Sequence, residues 1–238
     1  ILGKAVFEPH SRDKKLTDAG ELLLGYAKEM LRLNDQVFAR FQSPTVPCRI
    51  RLGTPDLYAS FFLPGILAEF NKIYPTVQID LKCALSHKLL DAFIKNELDL
   101  VFATQMPGKI KGEFVRTEPL FFVTANGSSA QHKDPLPLAL LPKGNLYRDH
   151  AIKALEKQGR PWYVACESES ISGLLTSVRA GFAVTVLTQP AVETDLRICS
   201  RSDGVPNLPA VDLVLYSSKN KSNASCNCLS EFLFNRLK

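Results

Sequence analysis

Hydroxyl, thiol and carboxyl side chains gather at four places where an apolar run gives way to a polar step. Thr54-Pro55-Asp56 follows CRIRLG (Cys48 to Gly53), and Cys83, with Ser86 close behind, ends VQIDLKC. Thr104 follows LDLVFA, and Glu167-Ser168-Glu169-Ser170 follows WYVAC. If these runs are strands of a doubly wound sheet, their carboxyl ends face a ligand-binding crevice. Helix starts beyond them present free N–H groups and a partial positive charge that suit an anion, and the hydroxyls add donors. Thr54, Pro55, Asp56, Cys83, Ser86, Thr104, Ser168 and Ser170 are therefore the candidate ligand contacts. Thr54, Ser86, Ser168 and Ser170 can each be read equally well as a helix cap or turn former. Asp56, Glu167 and Glu169 repel a strongly anionic ligand unless Lys143 or Arg148 compensates. Neutral, cationic and amphiphilic ligands stay open.

Catalytic chemistry has little to stand on. The four histidines, His10, His87, His132 and His150, lie in no G-x-S-x-G or H-E-x-x-H setting, and no G-x-G-x-x-G is present. His87 reads as a surface residue at a helix start. The six cysteines include no C-x-x-C, so no zinc site is expected, and the thiols read as idle ones in a reducing compartment. No enzyme, metal or cofactor is anticipated.

These residues need elements to hold them. The 238 residues are 45% hydrophobic and 22% charged, enough for one large domain or two modest ones, and the net charge of +5 permits a nucleic-acid partner without requiring one. No apolar run approaches the roughly 18 residues of a membrane span, so a soluble, cytoplasmic protein is expected. Near the start, FEPHSRDKKL (Phe7 to Leu16) reads as a hairpin tip, either a solvated turn or a phosphate-contacting loop through His10, Arg12, Lys14 and Lys15. Thr17 then caps a proline-free helix reaching about Phe41. Its Leu23, Tyr26, Met30, Leu33 and Val37 recur at spacings of three and four. The flanking positions are charged, so this narrow seam suits dimerisation better than packing on a broad core. Ser43-Pro44-Thr45-Val46-Pro47 breaks the helix.

Beyond residue 48 strands and helices alternate, which predicts a mostly parallel sheet with right-handed crossovers. Strands are expected at Cys48 to Gly53, Val77 to Cys83, Leu98 to Ala103, Leu120 to Thr124, Leu136 to Leu141, Trp162 to Cys166, Phe182 to Leu187 and Leu213 to Tyr216. Helices are expected over Asp56 to Tyr74, from Ser86 as cap to Asn96, over Arg148 to Gly159 and Ser170 to Gly181, and from about Ser225. The rhythm runs twice, pointing to two similar α/β units.

The order of short motifs resembles the LysR-type transcriptional regulators. Carrying it are Leu16-Thr17-Asp18-Ala19-Gly20 after the basic turn, Arg51-Leu52-Gly53 with Leu63-Pro64, Phe70 with Tyr74-Pro75, Glu97-Leu98-Asp99-Leu100 and Ala180-Gly181-Phe182-Ala183-Val184. Within the family the chain is most similar to the LrhA/HexA/PecT group, through Leu24-Gly25-Tyr26-Ala27-Lys28, Pro137-Leu138-Ala139-Leu140-Leu141 and Asp203-Gly204-Val205-Pro206. The resemblance implies an α/β chain with a remnant of a winged helix-turn-helix (1–16), a linker and dimerisation helix (17–42) and a hinge (43–48). A two-lobed effector domain like periplasmic binding proteins follows, with lobe I at 49–118 and 210–238 and lobe II at 119–209. It also implies DNA as partner through a head mostly missing before Ile1, an unknown small-molecule effector, and a homodimer or homotetramer. A two-lobed binding protein that never meets DNA, and an α/β enzyme, are the alternatives.

Overall fold

A computed structural model describes residues 3–8, 15–27, 30, 33, 48–217 and 224–238. At the N-terminal end Phe7 and Leu16 form an antiparallel bridge, and the Glu8 amide donates to the Lys15 carbonyl at 2.9 Å. This closes the base of a hairpin at Lys15. The sequence calls at His10, Arg12, Lys14 and Val37 lie outside the described residues. Helix α1 follows, with residues 18–27, 30 and 33 helical. Thr17 caps it, accepting from the Gly20 amide at 3.1 Å and donating to the Ala5 carbonyl at 2.7 Å. A Cβ on Gly20 would lie 2.1 Å from the Val6 carbonyl oxygen, so only glycine lets the helix lie this close to the hairpin.

Among the described residues the body holds ten strands. Five form one sheet in the order β2-β1-β3-β10-β4: β1 (Cys48–Thr54), β2 (Val77–Cys83), β3 (Leu100–Thr104), β4 (Glu113–Glu118) and β10 (Val211–Ser217). β1 is parallel to β2 and β3, whereas β10 runs antiparallel to β3 and β4. The sheet is therefore mixed, not mostly parallel. Alternation along the central strands divides their side chains between two cores. Leu100, Phe102, Leu213 and Leu215 face the main core, and Val101, Ala103, Val214 and Tyr216 face a smaller one under helix α4 (Ser86–Ile94). Coverage on both faces explains why β3 is apolar along almost its whole length.

The second lobe repeats this plan. β8 (Thr185–Thr188), β5 (Leu120–Ala125) and β9 (Leu196–Ile198) form a three-stranded sheet, and β6 (Leu136–Leu140) pairs with β7 (Trp162–Glu167). A parallel bridge at Leu138–Val184 joins the two, with the Ala139 amide on the Val184 carbonyl at 2.8 Å and the Val184 amide on the Pro137 carbonyl at 2.9 Å. The combined order, β7-β6-β8-β5-β9, matches the first lobe strand for strand. Helices α5 (Leu146–Gln158) and α6 (Ile171–Arg179) cover this lobe. The first carries α2 (Asp56–Phe61), α3 (Leu63–Ile73) and α7 (Ala224–Leu237) besides α4.

Three further sequence expectations change. The single helix expected over Asp56 to Tyr74 is two helices, because Pro64 lacks an amide and its ring excludes the preceding turn, so α3 starts afresh there. β4 and β9 were not anticipated. Both are edge strands, β4 with charged residues interleaved and β9 only three residues long. Ser86 is not a cap. It is the first residue of α4, Leu85 holds the cap position, and no side chain caps the helix.

Two carboxylates fasten loops. Asp203 takes both guanidinium nitrogens of Arg197, at 3.0 and 2.9 Å, and the Ser200 amide at 2.8 Å. Asp99 takes the Arg51 guanidinium at 2.7 and 3.1 Å and the Arg51 amide at 2.8 Å. The arginine partner is the main reason each carboxyl sits below its usual range. A carboxyl lowered by folding contributes stability that is complete above its unfolded pKa of about 3.9 and is lost as pH falls toward the folded value. Thermal melts should therefore hold steady from pH 7 to about 5 and fall steeply below about 4. Asp203→Asn should lower the neutral plateau and flatten the acid limb. An acid limb unchanged in this variant would remove Asp203 from the account.

Candidate functional site

The carboxyl ends of β1 and β2 face the start of α6 and the end of β6 across a cavity of about 250 Å³. Pro55, Asp56, Leu57, Cys83, Ala84 and Leu85 line it from the first lobe. Leu141, Asn145, Glu169, Ser170 and Ile171 line it from the second. Its walls are mostly apolar, with a few polar groups that could orient a small molecule.

Direct contacts join the lobes along this cleft. Away from the cavity lining the Tyr58 hydroxyl meets the Tyr147 hydroxyl at 2.9 Å and Thr104 Oγ1 at 2.6 Å. Both phenols are buried. Burial pushes Tyr58 up to about 12 and Tyr147 well above the ordinary phenol value, so both stay neutral near pH 7. In the cavity wall the Asp56 carboxylate accepts from the Ile171 amide at 2.8 Å and the Ser170 hydroxyl at 3.2 Å. At the rim Lys88 pairs with Glu169 at 2.8 Å. His87, read from the sequence as a surface residue, is half-buried against the second lobe's Gly144, where a Cβ would lie 3.2 Å from its ring.

The candidate residues separate into two groups. Pro55, Asp56, Cys83 and Ser170 line the cavity. The others face elsewhere. Thr54 is fully buried and donates to the Phe102 carbonyl at 2.9 Å. Thr104 is bound to Tyr58, and Ser86 is buried in α4. Ser168 Oγ accepts the Ser170 amide at 3.1 Å, shaping the turn into α6. Among the weighed charges, Arg148 does compensate Glu167, at 2.6 Å, while also donating to the Leu141 carbonyl at 2.8 Å. Burial, and secondarily Asp56, raises the Cys83 thiol. Sequence reading missed Asn145, which caps α5 by accepting from the Tyr147 and Arg148 amides at 2.9 and 3.2 Å. Its signal was an asparagine just before a helical run. Among the described residues no cluster of His, Cys, Asp and Glu could hold a metal, and none forms a helix long and apolar enough to cross a membrane.

A second hollow, of about 430 Å³, lies where the hairpin meets α1, lined by residues that include Val6, Leu22, Leu23 and Tyr26. Along α1 Leu22, Leu24, Tyr26, Met30 and Leu33 are exposed and Leu23 is half-buried.

Two α/β lobes of matching strand order around a mostly apolar cleft define a ligand-binding module of the periplasmic-binding-protein type. Residues 47–238 match the LysR substrate binding domain, and the chain belongs to that family. It is 35% identical over 215 residues to the HTH-type transcriptional regulator DgdR of Burkholderia cepacia, covering 90% of this chain and 73% of that protein. It is 26% identical over 229 residues to the HTH-type transcriptional regulator PecT of Dickeya dadantii, covering 96% and 72%. The CcmR regulatory domain of Synechocystis PCC6803, solved in complex with 2-PG, superposes with a TM-score of 0.63 at 19% identity, over 80% of this chain and 97% of that one. The relatives are transcriptional regulators, not enzymes.

Tyr58→Phe should leave Tyr147 and Thr104 short of a buried partner and cost about 1–2 kcal/mol in urea unfolding. A loss below about 0.3 kcal/mol would show that the hydroxyl chain does not help hold the lobes together.

Proposed function

We propose that this chain is the effector-sensing and dimerising portion of a DNA-binding transcription regulator that works in the cytoplasm. The observation that carries this reading is the cavity between two lobes, lined from both, in a chain of the LysR family. Residues 49–118 with 210–238 act as one lobe and 119–209 as the other, residues 43–48 serve as hinge, and 17–42 pair two subunits. Pro55, Asp56, Cys83 and Ser170 contact the effector, and Thr54, Ser86, Thr104 and Ser168 hold the walls that present them. At about 250 Å³ the cavity is smaller than the roughly 300–1,000 Å³ of drug-sized sites, which favours a small metabolite. An effector that prefers one lobe arrangement shifts the population toward it. The change reaches DNA through α1 and the wing at 1–16.

The exposed stripe on α1 favours this reading over a two-lobed binding protein that never meets DNA. Such a protein has no use for Tyr26, Met30 and Leu33 left exposed on a helix. Met30→Asp or Leu33→Asp should turn a dimer or tetramer into monomers in sedimentation velocity, with the melting temperature of the lobes unchanged. Unchanged oligomers in both variants would count against the seam. Selection from fragmented genomic DNA with the full-length protein should recover a discrete set of sites. Arg12→Ala and Lys14→Ala should weaken binding to them and reduce the slope of log affinity on log salt by about one unit per lost phosphate contact. Recovery of no sequence above background would reject the DNA-binding reading.

A further inference from the structure

Helix α6 lacks a cap of its own. Ser170 occupies the cap position, but its side chain makes no capping bond. Its hydroxyl donates instead, at 3.2 Å, to Asp56 of the opposite lobe, and the same carboxylate oxygen takes the Ile171 amide at 2.8 Å. The free amide at the start of α6 is therefore satisfied across the cleft. Asp56 is also the first residue of α2, where an acid suits that helix as well. One carboxylate thus serves helix starts in two lobes. Among the described residues it forms no ion pair. The other polar bridges differ in kind. Lys88–Glu169 joins two half-exposed side chains, a weak arrangement, and Tyr58–Tyr147 is neutral and lies away from the cavity lining.

We propose that Asp56 is an interlobe latch, a tethered carboxylate that holds the cleft closed by capping the helix of the opposite lobe. The proposal rests on the cleft being the effector site, and it adds the device by which the cleft is regulated. A molecule entering the cavity meets the latch directly, because Asp56, Ser170 and Ile171 all line it. Sharing or displacing these bonds opens or re-closes the lobes, so the effector's grip on α6 competes with that of Asp56.

Hydrogen exchange read by mass spectrometry on the 238-residue chain tests this. In Asp56→Ala, exchange should accelerate about tenfold at the Ile171 amide. It should also accelerate in the two facing walls, residues 83–85 and 141–145. Asp56→Asn, which keeps the shape and one acceptor, should give a smaller acceleration at the same places and guards against misfolding of the alanine variant. Lys88→Ala should exchange like the unmodified chain. Acceleration confined to the first turn of α6 would make Asp56 a cap and not a latch. So would equal effects of Lys88→Ala and Asp56→Ala. Either result would overturn the proposal while leaving dimerisation and DNA selection, and with them the regulatory reading, untouched.

Discussion

The two-lobed body depends on where β10 goes. The strand enters the first sheet between β3 and β4, antiparallel to both, after the chain has built the whole second lobe. Without it β4 has no partner, and the small core under α4 loses Val214 and Tyr216. The chain must therefore pass between lobes twice, once from β4 to β5 and once from β9 to β10. The two crossings lie at neighbouring points, because Glu118 at the end of β4 pairs with Val211 at the start of β10. The matching strand order means each lobe offers the other the same kind of surface, a row of strand ends and helix starts, and the cleft is what remains between those rows.

The cleft illustrates how a site can be polar at its edges without being strongly charged. Asp56, Glu167 and Glu169 would together make a repulsive field. Instead Asp56 is taken up by α6, Glu167 by Arg148 and Glu169 by Lys88. The charges are spent on joining elements, and the open surface is left to Pro55, Leu57, Leu85, Leu141 and Ile171. Away from the cavity lining, neutral phenols carry the contact between lobes. A buried hydroxyl chain avoids the desolvation cost of a buried ion pair.

Much of the frame was legible from the residues. β3 reads as a strand because it is a short apolar run, and Thr17 reads as a cap because a β-hydroxyl precedes a helical run free of proline. Strand ends could be located, and half of the proposed contacts line the cavity. What could not be read was direction. The Thr54 and Thr104 hydroxyls turn inward because Phe102 and Tyr58 offer partners 48 and 46 residues away. β4 escaped notice because an edge strand need not be apolar on its outer face, and its register is set by residues 211–215. Asp56 reads as a repulsive charge because Ile171, whose amide it accepts, lies 115 positions along the chain.

The close approach of α1 to the hairpin has a mechanical side. Gly20 lets the Val6 backbone lie where any side chain would force it away, and Thr17 fastens the same stretch with a bond to Ala5. Backbone lies against backbone there, with no side chain between them to yield, so helix and strand have little room to shift against each other. Any side chain at position 20 would have to push the two apart before the bond from Thr17 to Ala5 could form.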